Sequence, residues 1–280
     1  MSRPPTFTPP PGTRAYRMRT PRGEFAALDA CPDTPKGTVL LLPGYTGSKE
    51  DFIALLTPFA KAGYRAIAVD GRGQYESEGP ADDQAPYAQA ELAQDVLAQA
   101  GTLQGPLHLL GHSLGGLIAR AAVLRDRAPF ASLTLISSGP AAISPSQQER
   151  VKLLGDALSV MDMAQVWDAI QAMEGAAAPE DTDTDDALRE RWLRNSPAQL
   201  TATGAQLRTE PDRVAELAAL PLPKHVLSGQ QDDTWPVPLL DEMAVRLTAR
   251  RSVIAGADHS PNTDRPEETA AALIAFWDAQ

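Results

Sequence analysis

From about residue 14 the chain alternates short apolar runs of β type with longer stretches in which apolar residues recur every three or four positions. That alternation predicts an α/β fold, a mostly parallel sheet covered by helices. Residues 15–20 and 24–30 flank Pro21-Arg22-Gly23 and are expected to form an antiparallel hairpin. Residues 38–42 form a continuous apolar run that stops at Pro43-Gly44, the pattern of a buried strand. Ser48, with Asp51 three residues on, resembles a helix N-cap. Phe52, Leu55, Leu56, Phe59 and Ala60 then fall on one helical face, with Gly63 as the stop. Strands over 64–69, 107–110 and 131–136 and helices over 86–100 and 114–127 continue the rhythm.

After Ser138-Gly139-Pro140 the rhythm breaks, and residues 141 to about 217 carry helical pattern only, which predicts an insertion or cap. Within it, Ser144-Pro145-Ser146-Gln147 and Ser196-Pro197-Ala198-Gln199 each place serine before proline at the first helical position and glutamine at the third. Two helices are expected to start there. Glu174, Glu180, Asp181, Asp183, Asp185 and Asp186 form an acidic stretch without a basic residue, expected to be a solvated linker, with a cation site as the alternative. Strand pattern resumes at 225–228 and 251–255, and no internal repeat is present. The expected organisation is a proline-rich arm over 1–13, a core over 14–140 and 218–280, and a helical cap over 141–217.

Charge narrows the partners. With 25 Lys and Arg against 36 Asp and Glu the net charge is −11, so nucleic acid and anionic lipid headgroups would mostly be repelled. No apolar run approaches the roughly 20 residues that a membrane span needs, and the first residues lack a signal-like apolar segment, so a cytoplasmic protein is expected. Cys31 is the only cysteine, which excludes an intramolecular disulfide and a multi-cysteine zinc site.

The chemistry concentrates at loops that follow strands. Gly111-His112-Ser113-Leu114-Gly115 fits Gly-x-Ser-x-Gly, a short pattern that carries little alone. Here it follows an apolar strand and opens a helix of small residues, and a sharp turn of that kind needs glycines beside an exposed hydroxyl. A serine hydroxyl becomes a nucleophile only when a base takes its proton, so a histidine held by a carboxylate is required. Of four histidines, His108 lies within a strand, His225 starts one, and His112 adjoins the serine with its side chain expected to point elsewhere. His259, in the loop after the last strand, is the candidate base. Asp232 is the candidate acid, in Gly229-Gln230-Gln231-Asp232-Asp233; Asp233 competes with it or caps the helix near Pro236, and Asp258 adjoins His259 but should diverge from it. The backbone N–H groups of Leu114 and Tyr45 are the expected donors to a developing oxyanion. The Tyr45 ring is expected to line an acyl pocket, with a surface position as the alternative. Trp235 is assigned to the same pocket. In the cap, Met161, Met163, Met173, Trp167 and Trp192 line it or, on the competing view, pack cap against core.

Taken together, Leu41-Leu42-Pro43-Gly44-Tyr45-Thr46-Gly47-Ser48, Asp70-Gly71-Arg72-Gly73, Gly111-His112-Ser113-Leu114-Gly115-Gly116, Gly229-Gln230-Gln231-Asp232 with Pro236, and Gly256-Ala257-Asp258-His259 strongly resemble the α/β-hydrolase superfamily, in order over residues 37–266. The resemblance implies an eight-stranded, mostly parallel sheet flanked by helices, with a helical cap inserted after the sixth strand. It implies a serine hydrolase without metal or organic cofactor, acting on a small-molecule substrate. A small or medium hydrophobic carboxylic ester is expected, with thioesters, lactones or carbon–carbon bonds as alternatives and a ligand receptor as the non-enzymatic one. Two departures stand out. Pro43-Gly44 occupies the place where relatives often carry His-Gly, which removes a histidine that can position the loop. Arg72-Gly73-Gln74-Tyr75-Glu76-Ser77 replaces a pattern resembling Arg-Gly-His-Gly-x-Ser, which predicts a differently shaped approach for substrate.

Overall fold

A computed structural model describes residues 2–174 and 182–280. Eight strands form one sheet: β1 (Thr13–Thr20), β2 (Gly23–Ala30), β3 (Gly37–Leu42), β4 (Tyr64–Val69), β5 (Leu107–His112), β6 (Ser132–Ile136), β7 (Lys224–Gly229) and β8 (Arg250–Ile254). Their order is β1-β2-β4-β3-β5-β6-β7-β8, with β1 and β2 antiparallel and every later pairing parallel. The expected hairpin is present, and β5 runs two residues further than its apolar run, to His112.

Alternation within the strands builds two cores. Leu40 and Leu42 of β3 join Leu109 of β5 on one face, where α2 (Gln89–Ala100), α3 (Leu114–Arg125) and α9 (Val237–Leu247) pack. Val39 and Leu41 point the other way with Leu110, against α1 (Ile53–Lys61) and α11 (Pro266–Trp277). Because both faces are covered, β3 and β5 are buried at every position. Gly63, at φ +87°, ends α1 as its position predicts.

Between β6 and β7 the described residues contain helices only: α4 (Pro145–Leu158), α5 (Met163–Glu174), α6 (Thr182–Leu193), α7 (Pro197–Thr209) and α8 (Val214–Ala218). Both Ser-Pro starts are helix starts. The Ser196 hydroxyl accepts the Gln199 N–H at 3.2 Å, whereas the Ser144 hydroxyl instead donates to the Asp233 carbonyl at 2.7 Å. The insertion has a core of its own, Val166, Trp167, Leu188, Trp192 and Leu200, onto which Phe7 of the N-terminal arm packs. Of the acidic stretch, Asp185 and Asp186 lie on α6, and Asp185 pairs with Arg3, while Glu180 and Asp181 fall outside the described residues. Among the described residues no helix is long and apolar enough to cross a membrane, and no cluster of side chains is arranged to hold a metal ion.

Candidate active site

The chain leaves β3 toward β4 on one side and returns to β5 on the other, so the loops after β3 and β5 diverge at a crevice beyond the carboxyl ends of the strands. Ser113 stands at that point. Its backbone, φ 53° and ψ −119°, is left-handed and non-glycine, a strained turn of the kind found at functional positions. The surrounding glycines make the turn possible. A Cβ on Gly115 would lie 2.3 Å from the Leu42 carbonyl oxygen, and one on Gly111 would lie 2.2 Å from that of Gly115.

His259 follows β8 and Asp232 follows β7, so three loops deliver three side chains to one line. The Ser113 hydroxyl lies 3.1 Å from Nε2 of His259, and Nδ1 of that ring lies 2.9 and 3.0 Å from the two Asp232 oxygens. An ionised carboxylate only accepts, so the proton sits on Nδ1 and Nε2 is left to accept from the serine. The Asp232 side chain is wholly buried, and its Oδ1 also accepts the N–H groups of Thr234 and Trp235 at 2.9 and 3.1 Å. These bonds keep a charged carboxylate in place under an imidazole.

The competing acids are elsewhere. Asp233 turns to α4, where its carboxylate accepts from Gln147 Nε2 at 2.6 Å, so it neither meets His259 nor caps α9. Asp258 is exposed. His108 bonds Ser132, and His225 bonds Ser252, both inside the body. His112 departs from expectation: its ring turns into the site, and Nε2 donates to the His259 carbonyl at 2.9 Å. Burial, with His259 nearby, pushes its pKa down to about 4, so it is neutral and pins the loop that carries His259.

The N–H groups of Tyr45 and Leu114 donate to no acceptor among the described residues, and Tyr45 lines the same cavity as Ser113. The loop bearing Tyr45 is held without the histidine that Pro43 displaces. Gln74 Nε2 donates to the Gly44 carbonyl at 2.8 Å while its Oε1 accepts the Gly71 N–H at 3.0 Å. Beneath, the buried Lys49 ammonium meets Asp70, Glu50 and Glu76 at 2.7 to 3.0 Å, tying the loops after β3 and β4 together. In the sequence Gln74 stands out only as a departure from the pattern of relatives; its bond to Gly44 depends on two loops meeting in space.

The cavity over Ser113 has a volume of about 300 Å³ and is walled by Gly44, Tyr45, Thr46, His112 and His259 with Ile143, Val151 and Leu207 of the insertion. Tyr45 borders it, and its hydroxyl donates to the Leu200 carbonyl at 2.7 Å. Trp235 does not line it. It is fully buried behind His259, its ring stacked on the imidazole at 6.3 Å, with Nε1 donating to the Ala141 carbonyl at 2.8 Å. Trp167 does not line it either and packs inside the insertion's core, because an apolar helical position serves equally a cavity wall or a helix contact. Met161 is exposed, Met163 packs around that same core, and Met173 and Trp192 line a second cavity. A hydroxyl joined to a base that is itself fixed by a buried carboxylate, beside two unengaged N–H groups, can move a proton and receive a developing negative charge.

A model of the Alpha/beta hydrolase family matches residues 39–272. The pimeloyl-(acyl-carrier protein) methyl ester esterase of Aeromonas hydrophila is 31% identical over 224 residues, covering 76% of this chain and 85% of that protein. The enzyme of the same name from Edwardsiella ictaluri is 30% identical over 258 residues, covering 88% and 95%. An esterase structure from Exiguobacterium antarcticum superimposes with a TM-score of 0.77 at 19% identity, covering 94% of this chain and 99% of that one, a likeness of fold.

Proposed function

The chain belongs to the alpha/beta hydrolase family and is an enzyme of the carboxylic ester hydrolase type, and on that premise we propose a serine esterase that works through an acyl-enzyme on Ser113. The observation that carries this reading is the continuous line from Ser113 through His259 to Asp232, with each contact within 3.1 Å. His259 Nε2 takes the hydroxyl proton as Ser113 Oγ attacks the ester carbonyl. The carbonyl oxygen gains the charge and is met by the N–H groups of Tyr45 and Leu114. Asp232 stabilises the imidazolium, which returns the proton to the departing alcohol. Water then attacks the acyl-enzyme, His259 takes its proton, and the acid leaves as Ser113 is reprotonated.

The helical insertion acts in this reading as a cap, since Ile143, Val151 and Leu207 close one side of the cavity. The substrate is a carboxylic ester with a hydrophobic acyl group. Methyl esters belong in the test panel because the relatives named above are methyl ester esterases. The deciding experiment is labelling of the purified enzyme with a fluorophosphonate, together with turnover of p-nitrophenyl esters. Ser113→Ala is expected to abolish labelling and to lower kcat by about 10⁴-fold or more. Near-normal turnover by that variant would sink the proposal.

A further inference from the structure

Next to the cavity that holds Ser113 lies a larger one of about 490 Å³, and the two share Tyr45, Thr46 and Val151. Its remaining wall comes from the insertion: Leu154 and Ala157 of α4, Ala169 and Ile170 of α5, and Trp192 of α6. Among the described residues Arg150 supplies the only charge on that wall, and its side chain is 74% exposed and faces Asp233 at 3.9 Å. A wall of this chemistry and a volume of this size suit a hydrocarbon ligand.

We propose that this chamber receives the acyl chain, which makes the enzyme selective for esters joining a medium hydrophobic carboxylic acid to a small alcohol. The inference rests on the reading of Ser113 as nucleophile. Three groups radiate from the reacting carbon, and the site disposes of two. The oxyanion faces the Tyr45 and Leu114 N–H groups. The departing oxygen must reach His259 Nε2, so the alcohol lies toward His259, Ser260 and Thr234, which line the smaller cavity and not the larger. The acyl substituent is left the direction past Tyr45 and Val151. The dividing wall is fixed: the Tyr45 hydroxyl is held by the Leu200 carbonyl, and a Cβ on Gly204 would lie 2.6 Å from that hydroxyl.

The test measures kcat/KM for p-nitrophenyl esters from acetate to decanoate, and for methyl octanoate against octyl acetate, which carry an eight-carbon chain on opposite sides of the ester. Burial of each added methylene in an apolar chamber is expected to raise kcat/KM by about threefold until the chamber is full. Methyl octanoate is expected to exceed octyl acetate by tenfold or more. Ala169→Trp fills the chamber and is expected to lower the octanoate-to-acetate ratio at least tenfold, while Ile170→Ala enlarges it and moves the preferred chain to greater length. Circular dichroism checks that each variant is folded, and the enlarging variant keeps the test open if the tryptophan disrupts α5. A flat profile, a preference for octyl acetate, or a ratio that neither variant moves would overturn the chamber while fluorophosphonate labelling of Ser113 persists. Loss of that labelling in the unmodified enzyme would overturn the nucleophile reading and the inference with it.

Discussion

In the body, β3 and β5 bury every residue they contain and hand alternate side chains to two helical layers, whereas α4 of the insertion, 14 residues long, buries none of its own. The insertion meets the body both through apolar contacts, with Ile143, Leu207, Val214 and Leu217 joining the body's core and Ala198 packing on Tyr87 and Leu92, and through polar side chains. Arg191 of α6 and Asp51 of the body, both wholly buried, pair at 2.8 Å. Arg120 of α3 pairs with Glu210 at 2.6 Å and donates to the Pro140 carbonyl at 2.7 Å, fastening both ends of the insertion to the helix that starts at Ser113. Tyr45 and Trp235 add bonds to Leu200 and Ala141. Hydrophobic burial is non-directional and makes the body rigid; hydrogen bonds and ion pairs are directional and set where the insertion sits over the site. The three proposed catalytic side chains all belong to the body, and much of the wall that would select substrate belongs to the insertion.

That division can be broken from either side. The largest effect is expected in the body's chemistry: Asp232→Asn should lower kcat by about 10⁴-fold, on the precedent of serine hydrolases, with little change in the unfolding midpoint. Rate and urea unfolding measured on the same sample separate the two.

Next comes the seam. Arg191→Met leaves the Asp51 carboxylate buried without its partner and should cost about 3–5 kcal/mol, read from urea unfolding. Adding Asp51→Asn should recover part of that loss, and a double variant as unstable as the single one would show that packing, not charge, joins the parts.

Acid should act on the body. Burial lowers His108 and His112 to about 4 and His225 to about 3, and all four histidines lie outside 141–217. Above the ordinary histidine value of about 6.5 these rings are neutral in both states, so nothing is lost. Between about 6.5 and 4 the unfolded chain binds protons that the folded one refuses, and stability falls as pH falls, by up to about 1.4 kcal/mol per histidine per pH unit. Burial raises Asp70 to about 7, against the pull of Lys49, which opposes the trend with one group against three. The urea midpoint is therefore expected to drop from pH 7 to pH 4.

The smallest effect is a single bond across the seam. Tyr45→Phe removes the hydroxyl from the Leu200 carbonyl and should cost about 1 kcal/mol, a few degrees or less in Tm.

The sequence by itself determined the sheet, the glycine-lined turn at Ser113 and the order of serine, acid and histidine along the chain. Each is written in neighbouring residues: an apolar run for a doubly covered strand, glycines where a side chain would strike backbone. The choice of Asp232 over Asp233 was legible only as a preference, because adjacent residues occupy the same loop and only the loop's course decides which one faces His259. Tertiary structure alone decided that Gln74 holds the loop of Tyr45, that His112 turns back to the His259 carbonyl, and that Trp235 stands behind the imidazole. It also decided that Trp167 faces a helix contact while Trp192 faces a chamber. Helical periodicity says that a side chain is sheltered from water; what shelters it depends on residues distant in the chain, which only folding brings together.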